Sequence, residues 1–194
     1  MGALFNEAMT SLSSMDSPAV VESYAFDGID SICDVAGGHG LLLAKILAAR
    51  PAMRGALYET KSVLAGAVTG PLKAFADRCS FLSGDMFESV PAGFDAYIMK
   101  HIIHDWPDAA CLKILEGCRK GVRPGGRLLI VDHVIDDSPR SIVGKILDIE
   151  MLLFPGGMER TEQEFRDLLT RAGWNLTRVI PTRTTQAVIE AVPA

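Results

Sequence analysis

The segment Lys100-His101-Ile102-Ile103-His104-Asp105-Trp106-Pro107-Asp108 gathers amine, imidazole, carboxylate and indole groups in one short stretch. A histidine just ahead of a helix faces the positive end of that helix, which favours the neutral imidazole that a general base requires. His104 has that placement; its alternative is a structural loop histidine. Asp132 closes the apolar run Arg127 to Val131, and a strand there would lie beside the one ending at Met99. A carboxylate so placed would face His104 and stabilise the imidazolium formed on proton transfer. His101 could pair with His104 around a metal, but no carboxylate–histidine spacing completes a site, so no metal is expected. Glu159, in Pro155-Gly156-Gly157-Met158-Glu159-Arg160-Thr161, reads from position alone as a first-turn charge for the helix that follows.

A second group of residues describes a binding pocket. Asp34-Val35-Ala36-Gly37-Gly38-His39-Gly40 lies between an apolar run and a helical pattern, where glycines allow a sharp turn and close approach of a ligand. No frame gives G-x-G-x-x-G, and Leu41 follows Gly40 where a phosphate loop would need lysine, so phosphate binding is disfavoured. An acid at the start of the turn, Asp34, suits a cationic ligand instead. Glu59 ends the next apolar run, where a carboxylate can accept both hydroxyls of a ribose. Asp85, in Gly84-Asp85-Met86-Phe87, can take an adenine amino group while Met86 packs on the ring. Three successive strands ending in acids outline an adenosine pocket without phosphate, which fits S-adenosylmethionine; the alternative is a set of ordinary loop acids and caps.

These residues need strands to present them. Ser31–Val35, Ala56–Glu59, Phe81–Asp85, Phe94–Met99 and Arg127–Val131 read as strands, and Trp174–Ile180 with Gln186–Val192 as a closing antiparallel pair. Between them, Gly38–Ala49, Ser62–Ala76 and Pro107–Gly121 read as helices, as does Glu162–Ala172, with Thr161 and Glu164 in capping-box positions and Gly173 as its stop. Near-continuous apolar strands alternating with helices predict a doubly wound α/β fold: a mostly parallel seven-stranded sheet with an antiparallel edge strand. Ligands in such sheets bind at the carboxyl ends of the strands.

The 194 residues suit one domain, and 19 basic against 24 acidic side chains give a net charge of −5. That balance lacks the basic excess of a nucleic-acid-binding domain. No run approaches the roughly 18 apolar residues of a membrane span, and the N-terminus lacks the order of a signal peptide, so a cytoplasmic protein is expected. Cys33, Cys79, Cys111 and Cys118 are scattered without a C-x-x-C pair and read as small buried hydrophobes.

Taken together, the chain resembles the S-adenosylmethionine-dependent small-molecule O-methyltransferases that act on caffeate, acetylserotonin, isoflavones and bacterial polyketides. The resemblance runs over essentially the whole chain. It rests on Phe5-Asn6-Glu7-Ala8-Met9, the glycine turn, Gly84-Asp85-Met86-Phe87, Lys100 with His104-Asp105-Trp106, Pro124-Gly125-Gly126, and Gly156-Gly157-Met158-Glu159-Arg160-Thr161. It implies a Rossmann-like methyltransferase fold over residues 1–194, with leading helices over 1–25. It also implies a base at His104, flanked by Asp132 and Glu159, that deprotonates an acceptor hydroxyl. Cofactor contacts are implied at Asp34, Ala36, Gly37, Gly38, Glu59, Asp85, Met86, Phe87, Lys100 and Ser13. Phe5, Met9, Asp105 and Trp106 fall beside the acceptor, and Phe5, Met9, Met151, Leu152 and Phe154 lean towards a flat aromatic hydroxyl compound.

Three features depart from the family pattern. Ala36 stands where relatives usually carry glycine, which bears on cofactor affinity. Thr60-Lys61-Ser62 replaces the Leu-Pro that usually follows the acidic residue. Family members carry an N-terminal winged-helix dimerisation domain ahead of the catalytic domain, and the residues here start at the helix just before the latter. Either a fragment of a longer protein or a natural short form is therefore expected, with a more open acceptor pocket and a homodimer or a missing-domain partner covering exposed apolar surface. A non-catalytic methyltransferase-fold module that binds cofactor or a partner protein is the competing reading.

Overall fold

The computed structural model describes residues 14–153 and 156–194, apart from the side chain of Arg140. Phe5, Met9, Ser13 and Phe154 therefore lie outside the described residues. A helix over 14–23 (α1) leads into β1 (Ser31–Val35), α2 (Leu41–Ala49), β2 (Arg54–Glu59), α3 (Lys61–Ala67), β3 (Cys79–Ser83) and β4 (Phe94–Lys100). Then follow α4 (Asp108–Gly121), β5 (Val122–Asp132), α5 (Ile142–Leu153), α6 (Glu162–Arg171), β6 (Trp174–Pro181) and β7 (Ala187–Pro193). The seven strands form one sheet in the order β3-β2-β1-β4-β5-β7-β6. Strands β1 to β5 pair parallel, and β7 runs antiparallel to both β5 and β6.

Alternating side chains split each central strand between two cores. Ile32, Leu57, Ile98 and Leu129 face a layer with Val20 and Tyr24 of α1 and Leu43, Ile46 and Leu47 of α2. Cys33, Tyr97, Met99, Leu128 and Ile130 face the other way, onto Ile114 and Leu115 of α4, Phe165 and Leu169 of α6, and Trp174. Full burial of each large apolar side chain contributes about 1.5–3 kcal/mol, so both layers hold the sheet rigid. All four cysteines are buried and free, as their scatter implied.

The connections refine the sequence reading. Helix α2 starts at Leu41 because Gly38 and Gly40 take left-handed backbone at φ 60° and 75°. The helix expected through Ala76 breaks after Ala67, and Pro71–Phe75 forms a 3-10 turn. Pro107 caps α4 from outside, and α6 carries the expected capping box, Thr161 with Glu164. Helix α5 was not anticipated, and of its residues with described burial only Gly144 is buried. Ile142, Ile146, Ile149, Leu152 and Leu153 are exposed on it. No helix among the described residues is long and apolar enough to cross a membrane.

Candidate active site

The strand order turns back between β1 and β4, since β2 and β3 lie to one side of β1 and β4 and β5 to the other. A crevice opens at such a point at the carboxyl ends of the strands. Asp34 near the end of β1 and Lys100 at the end of β4 flank it.

On the β1 side, the chain bends sharply after Val35. Ala36 is left-handed at φ 55°, a conformation that costs a residue with a Cβ about 1–2 kcal/mol. Its N–H donates to Tyr58 O at 2.8 Å, which fixes the bend against β2. Any side chain at Gly37 would land on Asp34, whose Oδ2 lies 2.3 Å from the Cβ position, whereas a Cβ at Gly38 would meet open space within 4 Å. Asp34 is 1% exposed, and its Oδ2 has no hydrogen-bond partner among the described residues. Burial first, then Glu59, raises its carboxyl to about 7, while Lys100 pulls the other way. An orphaned buried acid beside an open glycine turn suits a ligand that brings cationic or N–H groups.

Glu59 sits at the end of β2 as expected, with both oxygens held by main chain: Gly38 N–H donates to Oε2 at 3.2 Å and Thr60 N–H to Oε1 at 2.7 Å. Each oxygen keeps a lone pair for a hydroxyl. Asp85 lies two residues beyond the end of β3 rather than at it, in a turn where Oδ1 accepts from Phe87 N–H at 2.9 Å. Phe87 packs edge-on against Trp106 at 4.8 Å between centroids, and with Met86 both border the α4 side core. Burial lowers the Lys100 ammonium, and Asp16, Asp34 and Asp132 work against that.

On the β4 side, Ile103–Asp105 forms a 3-10 turn ahead of α4 that carries His104, buried to 7% exposure. Its Nδ1 lies 2.8 Å from Oε1 of Glu159, which is itself 3% exposed. The loop before α6 folds back to make this pair. Met158 N–H donates to His104 O at 2.9 Å, and the Arg160 guanidinium bonds Ile103 O at 3.0 Å, Trp106 O at 3.2 Å and Asp108 Oδ1 at 2.9 Å. A side chain at Gly157 would sit 1.9 Å from His104 O, so only glycine lets the loop approach. Glu159 N–H donates to Asp148 Oδ1 of α5 at 2.8 Å.

Two expectations change here. The carboxylate bonded to His104 is Glu159, which position alone gave as a helix charge, whereas Asp132 Oδ1 accepts from His101 N–H at 3.1 Å. The imidazole is also not held neutral by α4. Burial pushes it down, but Asp132, then Glu159 and Asp105, raise it to about 9. Glu159 and Asp105 in contact with the ring, with Asp132 within 4.8 Å, outweigh the end of a helix that begins four residues later. Burial correspondingly raises Asp132 to about 7. Asp105 approaches His104 Nε2 with Oδ1 at 3.4 Å.

Histidines 101 and 133 join the same group: the His101 ring lies 5.1 Å from His104 and 6.0 Å from His133, centroid to centroid. The carboxylate that spacing did not supply for a histidine pair is Asp132, which is distant in sequence and adjacent through β4–β5 pairing. A separate cavity of about 1190 Å³ opens behind His133, between Ser141, Lys145, Thr161 and the Thr182–Gln186 turn, and contains neither His104 nor the glycine turn.

Comparison with known proteins now bears on this arrangement. The model of the O-methyltransferase domain matches residues 1–175. This chain belongs to that O-methyltransferase family. It is 37% identical over 191 residues to phenazine O-methyltransferase PhzM of Lysobacter antibioticus, covering 98% of this chain and 56% of that protein. It is 39% identical over 181 residues to mitomycin biosynthesis 6-O-methyltransferase of Streptomyces lavendulae, covering 92% and 51%. Among solved structures, the calicheamicin-biosynthesis methyltransferase CalO1 in its S-adenosylhomocysteine-bound form superposes with a TM-score of 0.90 at 30% identity, over 100% of this chain and 58% of that one.

The chain thus spans about half the length of the curated relatives it matches. As a member of the O-methyltransferase family it has the doubly wound sheet expected from the strand–helix pattern, with β7 as the antiparallel strand inserted between β5 and the edge strand β6.

Proposed function

We propose that this domain transfers the methyl group of S-adenosylmethionine to a hydroxyl of a small aromatic acceptor, with His104 as the general base. The observation that carries this reading is the buried His104–Glu159 pair, 2.8 Å apart, at the same sheet edge as Asp34, whose buried Oδ2 has no partner among the described residues. Asp34, Gly37, Gly38, Glu59, Asp85, Met86 and Lys100 would hold the cofactor. Gly38 leaves room for it, Glu59 accepts ribose hydroxyls, and Asp34 meets its amino group.

When bound, S-adenosylmethionine supplies an electrophilic methyl and a positive charge. The positive charge it would bring to the crevice would disfavour the imidazolium and favour the neutral His104 ring that can accept a proton. Glu159 keeps Nδ1 engaged, which leaves Nε2 to take the acceptor proton. The imidazolium formed when Nε2 takes that proton would be stabilised by Glu159, Asp105 and Asp132, leaving the acceptor oxygen deprotonated. Holding both reactants in line supplies much of the acceleration. Trp106, braced by Phe87, offers an aromatic wall, which favours a flat acceptor. The strained Ala36 favours the competing reading of a module that binds cofactor weakly without turnover.

Methyl transfer to a panel of hydroxylated aromatics, beside calorimetric binding of S-adenosylhomocysteine, separates these readings. His104→Ala should bind the product nucleoside as tightly as the parent and lose at least about 100-fold in rate. Equal rates would overturn His104 as base. No binding by folded protein, or binding that Glu59→Ala leaves intact, would overturn the cofactor site.

A further inference from the structure

His101 is unusual on three counts. It is left-handed at φ 57°, its ring lies near two other imidazoles, tilted 30° to that of His104 and 41° to that of His133, and nothing in the methyl-transfer chemistry uses it. One ring nitrogen each from His101 and His104 and a carboxylate oxygen of Asp132 lie within 4.8 Å of one another. We propose that His101, His104 and Asp132 bind a divalent transition cation of the Zn²⁺ type, in competition with the proton on His104. Two imidazole nitrogens and one carboxylate suit such a borderline cation better than Mg²⁺ or Ca²⁺, which take oxygen ligands.

The outer contacts fit this use. Metal-bound histidines donate their second ring N–H to a carboxylate, a carbonyl or water. Glu159 holds Nδ1 of His104 at 2.8 Å and leaves Nε2; Gln186 Nε2 holds Nε2 of His101 at 2.6 Å and leaves Nδ1, 3.9 Å from Asp132 Oδ1. A cation on His101 Nδ1 would move the ring proton to Nε2. Asp16 Oδ2, 3.9 Å away, can accept it there once the Gln186 Nε2 donor, 2.6 Å away, turns aside. Asp132 Oδ2 is buried without a partner among the described residues, so a cation held by this carboxylate would satisfy an orphaned acceptor.

Charge favours it as well. Asp16, Asp105, Asp132 and Glu159 surround the imidazoles against Lys100 and Arg160, an acid excess when the rings are neutral. Ligand atoms about 2.0–2.2 Å from a tetrahedral ion stand about 3.4 Å apart, so the set closes by ring movements of about 1 Å. The cation would occupy the nitrogen that takes the acceptor proton and so inhibit turnover; only this consequence rests on the reading of His104 as base.

Co²⁺ titration of the purified chain, followed by visible absorption, with Zn²⁺ calorimetry alongside, tests the site. His101→Asn keeps a residue that tolerates left-handed backbone and removes the ligand, and His101→Gly must repeat its result. One tight equivalent is expected, weakened at least about 100-fold in both variants and in His104→Ala and unchanged in His133→Asn. Binding should tighten from pH 6 to pH 8, because the cation displaces the proton on His104, raised to about 9, whereas burial already lowers His101 to about 4. No tight equivalent, or one that survives His101→Asn and His101→Gly, would overturn the site. If Zn²⁺ binds as expected and the parent's methyl transfer is not inhibited, the base assignment fails while the metal site stands.

Discussion

Replacing Glu159 with glutamine tests the electrostatics of the site with little change of shape. The carboxylate accepts the Nδ1 hydrogen bond of an imidazolium at 2.8 Å, and His104 is raised to about 9 by Asp132, Glu159 and Asp105 against the downward effect of burial. A hydrogen bond to a charged group contributes about 1.5–3 kcal/mol, and 1.36 kcal/mol corresponds to one pKa unit, so glutamine should bring His104 down to about 7–8. Asp132 and Asp105 remain, which keeps the value above that of a free imidazole. The folded value lies above the unfolded one, so the stabilisation is complete below pH about 6.5 and disappears as pH rises through about 9. Glu159→Gln should therefore destabilise by about 1.5–3 kcal/mol at pH 6. At pH 10 it should cost little, because the neutral ring no longer needs the charge. NMR titration of the His104 imidazole, with urea unfolding at both pH values, reads both effects. An unchanged titration, or a destabilisation larger at pH 10 than at pH 6, would refute the assignment of Glu159 as the partner that holds the charged ring.

Two further outcomes follow from backbone geometry. Gly157→Ala places a methyl 1.9 Å from His104 O. The loop must retreat, with a loss of about 1–3 kcal/mol in chemical denaturation and a fall in methyl transfer; parental stability and rate would show that the close approach is not needed. Ala36→Gly releases a left-handed residue at φ 55°. After the greater flexibility of glycine in the unfolded chain is set against the relief, stability should rise by about 0.5–1 kcal/mol, and calorimetry should show S-adenosylhomocysteine binding at least as tight.

The sheet was legible because its signals are local. Ile32-Cys33, Ile98-Met99 and Leu129-Ile130 are apolar on successive residues, which only a strand covered on both faces requires. The acids Asp34, Glu59 and Asp132 were legible as strand-end groups for the same reason. Helix α5 was not, because Ile142, Ile146 and Ile149 mark a face turned to solvent and Gly144 falls in its first turn. The partner of His104 was also hidden. It depends on the loop 156–161 folding across the turn at 103–105, an approach set by Gly157 and Arg160 rather than by spacing. The neutral histidine expected from the helix end failed because two buried carboxylates were not counted together.

The bracing of that turn bears on how the site moves. Arg160 is 1% exposed and bonds main-chain oxygens on both sides of His104, while Met158 N–H bonds the oxygen of His104 itself. Neither segment can expose its amides alone without stranding a buried guanidinium, so 103–106 and 158–161 form one cooperative unit of local unfolding despite their separation in the chain. Hydrogen exchange across both should report a single opening event. Base and carboxylate are then lost and regained together, and no partly open state presents an unpaired His104 to solvent.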